Sequence, residues 1–87
     1  MKIKKGFVLR AVGGDHVVVP VGEMSKNFHG MINLNETGAF LWRFFSENRT
    51  AEEAVDALCS EYAADREQVE ADVNRFVEIL KNNCFCE

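Results

Sequence analysis

Several things are scarce in this chain, and each scarcity removes a class of function. Pro20 is the only proline in 87 residues, and no linker, internal repeat or low-complexity stretch divides the sequence. A chain of this length is expected to be a single domain, residues 1–87, since it is too short for two. Cysteines number three, an odd count that argues against a secreted disulfide framework and for a reducing, cytoplasmic location. No apolar run approaches the roughly 18 residues of a membrane span. The opening Met1-Lys2-Ile3-Lys4-Lys5 imitates the basic start of a signal peptide, but Arg10 and two glycines interrupt the stretch that follows. Cations are scarce in the second half. Residues 1–49 hold seven basic and four acidic side chains, a balance of +3; residues 50–87 hold three and ten, a balance of −7. An acidic half of that strength repels a phosphate backbone, so no nucleic-acid partner is expected.

The side chains of catalysis are equally thin. His16 and His29 fall in a turn and a loop. Ser25, Ser46 and Ser60 lack the Gly-x-Ser-x-Gly setting of a strained nucleophile, and Gly13-Gly14 is not followed by the helix a phosphate cradle needs. Cys84 and Cys86 are the most tempting pair, yet a closed zinc site takes four ligands, usually with Cys-x-x-Cys spacing. Cys59 reads as a small buried hydrophobe. No enzyme emerges, and no metal or cofactor is implied. A domain this small buries only about 60–65% of the surface its unfolded chain exposes, which leaves little room for an enclosed active site. Size favours a binding module.

What is present is a run of strands followed by a run of helices, with the boundary near Asn35. Phe7 to Val12 and Val17 to Val21 are β-branched and apolar and flank Gly13-Gly14-Asp15-His16, which reads as a hairpin turn. Residues 22–30 read as a polar loop, and Met31-Ile32-Asn33-Leu34 as a short third strand with Ile32 and Leu34 on one face. Asn35 is a good N-cap for a first helix. In that helix Phe40, Phe44, Leu41, Phe45, Gly38 and Trp42 cover an arc of about 200°, wider than one core face needs. The helix is therefore either simply central, or Phe40 and Phe44 meet a partner or a second copy. Thr50 with Glu53 predicts a capping box for a second helix with Ala54, Val55, Leu58 and Tyr62 inward. Asp65 with Gln68 predicts the same device for a third, whose inward stripe is Val69, Val73, Phe76, Val77 and Leu80. Ile79 falls outside that stripe, beside Asp72 and Arg75. Phe85 is expected to fold back onto the core. The pattern predicts an α+β domain of winged-helix type: a three-stranded antiparallel sheet followed by three helices.

Residues 30–62 carry something more specific. Ile32-Asn33-Leu34-Asn35 runs into Thr37-Gly38-Ala39-Phe40-Leu41-Trp42, then Thr50, Val55, Leu58 and Tyr62. This resembles the PqqD-like family, in which an Ile/Leu-x-Leu-Asn strand enters a Thr-Gly-Ala-x-Leu-Trp helix followed by a Thr-capped helix. The Gly6-to-Gly22 opening resembles the family's first hairpin. Two positions depart from the pattern. Glu47-Asn48 stands where an Asp-Gly is frequent, with Asn48 able to take the same left-handed turn. Cys84-Phe85-Cys86 replaces the usual small and leucine residues.

The resemblance implies a non-catalytic peptide chaperone for ribosomally made, modified peptides. Such a domain binds the leader of a precursor peptide and presents it to a tailoring enzyme, often a radical S-adenosylmethionine protein. Carried over by position, the leader lies beside Met31, Ile32, Asn33 and Leu34 and against Asp72, Arg75, Phe76 and Ile79 of the third helix. A homodimer stays open. The rival readings are a winged-helix DNA-binding regulator and a protein-interaction subunit that takes no leader. The first needs Lys and Arg on a recognition helix, where the third helix sets Glu67, Glu70, Asp72 and Glu78 against Arg66, Arg75 and Lys81.

Overall fold

A computed structural model of the chain describes residues 1–27 and 32–86. Its strands are β1 (Phe7–Val12), β2 (Asp15–Pro20) and β3 (Ile32–Leu34), and its helices α1 (Met24–Asn27), α2 (Glu36–Phe44), α3 (Ala51–Tyr62) and α4 (Arg66–Asn82). The strands form one antiparallel sheet in the order β1-β2-β3. The α+β architecture of winged-helix type, with three helices after the sheet, is the one expected. Met31 and His29 lie outside the described residues.

The hairpin turns on two residues, because Gly13 (φ 57°) and Gly14 (φ 88°) both occupy the left-handed region that a tight antiparallel turn requires. Val12 therefore pairs with Asp15, so the second strand begins two residues before the apolar run that announced it. Register places Phe7 and Leu9, His16 and Val18, and Ile32 and Leu34 on one face of the sheet. Phe7, Leu9, Val18, Ile32 and Leu34 of this set pack on the core.

Three aromatic rings join that face to the helices and to the end of the chain. Trp42 of α2 stands edge-on to Phe7 of β1 at 6.5 Å and to Phe85 at 5.5 Å, and Phe7 meets Phe85 at 4.7 Å. Phe85 reaches the core because Cys84 takes a left-handed turn (φ 57°) after α4. Its amide then donates to the Leu80 carbonyl, and its carbonyl accepts from the Lys4 amide. Phe45, which follows α2, stacks at 6.5 Å on Phe76 of α4. Such pairs are worth about 0.5–1.5 kcal/mol each beyond the burial of the rings.

Several local expectations are corrected. A helical turn, α1, lies within the predicted loop 22–30. Tyr62 is not inward: it ends α3 beyond the core and is 44% exposed, while Trp42, Leu58 and Val73 are buried as expected. Asp65 makes no side-chain cap; the start of α4 is tied down instead by Arg66, 2.8 Å from Asp56 of α3. Among the described residues the left-handed non-glycine ones are Ala63 and Cys84, not Asn48.

The α3 capping box is complete. Thr50 Oγ1 accepts from the Glu53 amide at 3.1 Å, and Glu53 Oε1 accepts from the Thr50 amide at 2.9 Å. The bond from the Thr50 backbone is the first cause holding the Glu53 carboxyl below its ordinary value of 4.5. A depressed carboxyl contributes its stability fully above that value and loses it as pH falls through the lower folded-state value. Thr50→Ala is expected to cost about 0.5–2 kcal/mol at neutral pH. Alanine keeps the Thr50 backbone N–H, so only the smaller part of the difference, carried by the Thr50 hydroxyl at the Glu53 carboxyl, should be lost as pH falls below 4.5. Thermal melts of the two proteins from pH 7 to pH 3 check both, and a gap that widens on acidification would contradict the cap assignment.

Candidate functional site

One strand edge and one helix flank meet at a groove. β3 is terminal in the sheet, and among the described residues no strand pairs with its outer side. Alongside it a groove of about 230 Å³ is lined by Asn33, Leu34, Asn35, Thr37, Gly38, Leu41, Asp72, Arg75, Phe76 and Ile79. The floor is apolar, with Leu41 and Phe76 buried beneath it. Ile79, 37% exposed, stands on the far wall beside the polar rim of Asp72 and Arg75.

Sequence spacing explains the wall. Residues 72, 75, 76 and 79 follow the i, i+3, i+4, i+7 rule, so they form a single stripe along α4. This stripe shares Phe76 with the inward row of Val69, Val73, Phe76 and Leu80, all buried. Phe76 thus belongs to both core and groove, and Ile79 is the apolar residue that only the groove uses. On the rim, Arg75 approaches Asp72 Oδ1 at 3.4 Å, and Gln68 Nε2 donates to the same oxygen at 3.1 Å. Arg75 is 68% exposed, so the pair contributes little and can open toward a ligand carboxylate.

The other wall is set by the β3-to-α2 connection. Asn35 Oδ1 accepts from the Gly38 amide at 2.7 Å, which caps α2 one residue after the strand ends. A Cβ at Gly38 would lie 3.2 Å from both Asn35 Oδ1 and Leu34 Cβ. The glycine therefore permits the close approach of helix to strand, as its small size suggested.

Of the eight positions singled out in the sequence, the groove brings together Asn33, Leu34, Asp72, Arg75, Phe76 and Ile79. Ile32 is half-buried and packs on the core instead, and Met31 lies outside the described residues. Asn35, Thr37, Gly38 and Leu41 were not read as site residues. Their signal in the sequence is the close spacing on one flank of α2, which a cap and a core account for equally well.

Among the described residues no three His, Cys, Asp or Glu side chains stand close enough to hold a metal ion. Burial pushes the Cys86 thiol above its ordinary value, which favours the inert protonated form. Among the described residues no helix is long and apolar enough to cross a membrane.

Residues 15–85 match the family model of coenzyme PQQ synthesis protein D (PqqD). Two solved structures are similar. TbiB1 in complex with the TbiA(beta) leader peptide is 30% identical with a TM-score of 0.76, over 100% of this chain and 95% of that one. Lasso peptide synthetase B1 complexed with the leader peptide is 21% identical with a TM-score of 0.71, over 94% of this chain and 91% of that one, a likeness of fold. No curated protein matches the chain.

On α4 the three cations Arg66, Arg75 and Lys81 stand among Glu67, Glu70, Asp72 and Glu78, so the net charge of the helix repels phosphate. Duplex DNA should therefore not bind specifically. Electrophoretic shifts of random and genomic fragments should be absent at submicromolar protein and moderate salt; a salt-dependent shift there would contradict the charge argument.

Proposed function

The chain belongs to the coenzyme PQQ synthesis protein D family, and we propose that it is a non-catalytic peptide-binding chaperone. It holds the leader of a ribosomally made precursor and presents it to a tailoring enzyme, a radical S-adenosylmethionine protein or another modifying enzyme. The observation that carries this reading is the coincidence of an unpaired strand edge, β3, with an apolar-floored groove that runs beside it. A leader laid along β3 extends the sheet by one strand, and its alternate side chains drop into the groove. The 30% identical structure was solved in complex with a leader peptide, which supports leader binding as the function.

Magnitudes decide which part of the site does most. Alternate residues of a strand face each side, so the three-residue edge offers roughly two to four backbone hydrogen bonds. At about 0.5–1.5 kcal/mol each they contribute some 1–6 kcal/mol. Micromolar affinity takes about 8 kcal/mol, and a disordered leader must also be ordered. The difference must come from side chains, at roughly 1.5–3 kcal/mol for each apolar anchor buried against Leu34, Phe76 and Ile79. The edge fixes direction and register; the groove supplies affinity and choice.

Ile79→Glu is accordingly expected to weaken leader binding at least tenfold, about 1.4 kcal/mol, with little change in melting temperature. Arg75→Glu should have a smaller effect that fades with added salt. Isothermal titration with the leader of the precursor made alongside this protein measures both. Unchanged affinity in a folded Ile79→Glu variant would remove the groove from the account.

A further inference from the structure

The groove uses one flank of α2, and the next flank carries a second surface. Phe40 and Phe44 lie parallel there with ring centroids 6.4 Å apart, and Tyr62 of α3 stands edge-on to Phe40 at 5.9 Å. Arg43, Glu47 and Arg49 complete a shallow recess of about 330 Å³ over Phe40 and Phe44. We propose that this shelf docks the modifying enzyme while the leader occupies the groove, an inference that rests on the leader-binding reading above. The enzyme presents an apolar side chain to Phe40 and Phe44 and a carboxylate to Arg43.

Charge specifies that partner. Arg49, Arg66 and Arg75 all hold ion pairs, whereas Arg43 and, on the distant β1 strand, Arg10 have none among the described residues. Arg49 is pinned: its guanidinium lies 5.2 Å over the Phe44 ring and pairs with Glu47 and Glu53. It is a fixed rim, so the free cation of the shelf is Arg43. Aromatic side chains and arginine are also the residue types that dominate binding energy at protein interfaces.

Area argues against a second copy of this chain as the occupant. A stable interface takes about 20–30 residues a side, and the shelf offers six side chains. Alone it supports only a transient contact. A leader held in the groove and engaged by the enzyme changes that, because a tether of this kind raises the effective concentration of the second contact to the millimolar range. Thr37, Gly38 and Leu41 face the groove roughly a third of a turn around α2 from Phe40, Arg43 and Phe44. Both surfaces can therefore be filled at once, with the enzyme beside the bound leader.

The test uses the full-length precursor peptide, the enzyme that modifies it and the whole domain, with product followed by mass spectrometry. Arg43→Glu, an exposed change, is expected to leave leader affinity within twofold of the parent and to slow modification at least tenfold at subsaturating domain. A photocrosslinking residue at position 40 should link to the enzyme only when precursor is present. Normal modification by Arg43→Glu, or a crosslink to a second copy of the domain, overturns the shelf and leaves leader binding intact. A parent domain that fails to bind the leader overturns both. Should Arg43→Glu melt early, the crosslink in the otherwise unaltered protein decides.

Discussion

Asn35 stands alone between the last strand and the first long helix of the domain, and its cap determines where everything near the site can be. Its side chain accepts from the Gly38 amide at 2.7 Å, so α2 starts at once and the chain cannot drift away from the sheet edge. The next constraint is Gly38 itself, where a side chain would press on Leu34 and on the cap. With α2 held this close, Leu41 lies under the groove and Trp42 reaches the ring cluster of Phe7 and Phe85. α4 is then positioned by Phe45 stacked on Phe76, which sets the stripe from Asp72 to Ile79 opposite β3. Break the cap, and strand edge and groove no longer share one corner.

The same packing accounts for a site that is open but not empty of preference. A three-residue strand edge is nearly generic, since any peptide can offer it backbone groups. In the proposed reading, preference arises from what lies beside it: an apolar floor continuous with the core, one apolar wall residue outside the core, and a loosely paired Arg75–Asp72 rim. Phe76, at once core and floor, couples the two roles, so changes there would confuse stability with binding in a way that Ile79 avoids.

What could be read in the sequence was what depends on near neighbours along the chain. The Asn35 cap and the Thr50–Glu53 box are satisfied within three residues, and both are present. Helical spacing sets Ile79 outside the core row beside Asp72 and Arg75, and the family resemblance is what ties that stripe to a peptide. Features set by distant partners run against the local signals. Asp15 and His16 look like turn residues but pair with Val12 and Ala11, because two left-handed glycines are enough to reverse the chain. Tyr62 keeps the helical period of the α3 core row, yet the row runs past the end of the core and leaves it packed on Phe40. Asp65 had a capping partner in register, but Arg66 joins α4 to Asp56 instead. The α2 wall was hidden because Gly38 and Leu41 serve core and groove together.

The central claim is that a leader adds to this domain as a strand on β3. Amide hydrogen exchange of the isotopically labelled domain, followed by nuclear magnetic resonance with and without saturating leader, tests it residue by residue. An amide of Ile32–Leu34 that faces away from β2 should exchange at least tenfold more slowly when leader is bound, because it gains a partner it lacks in the free protein. The β1 amides, on the other side of the sheet, should change little. Slowed exchange confined to the α2 or α4 faces, with β3 unaltered, would mean that the peptide binds without joining the sheet and would contradict the account.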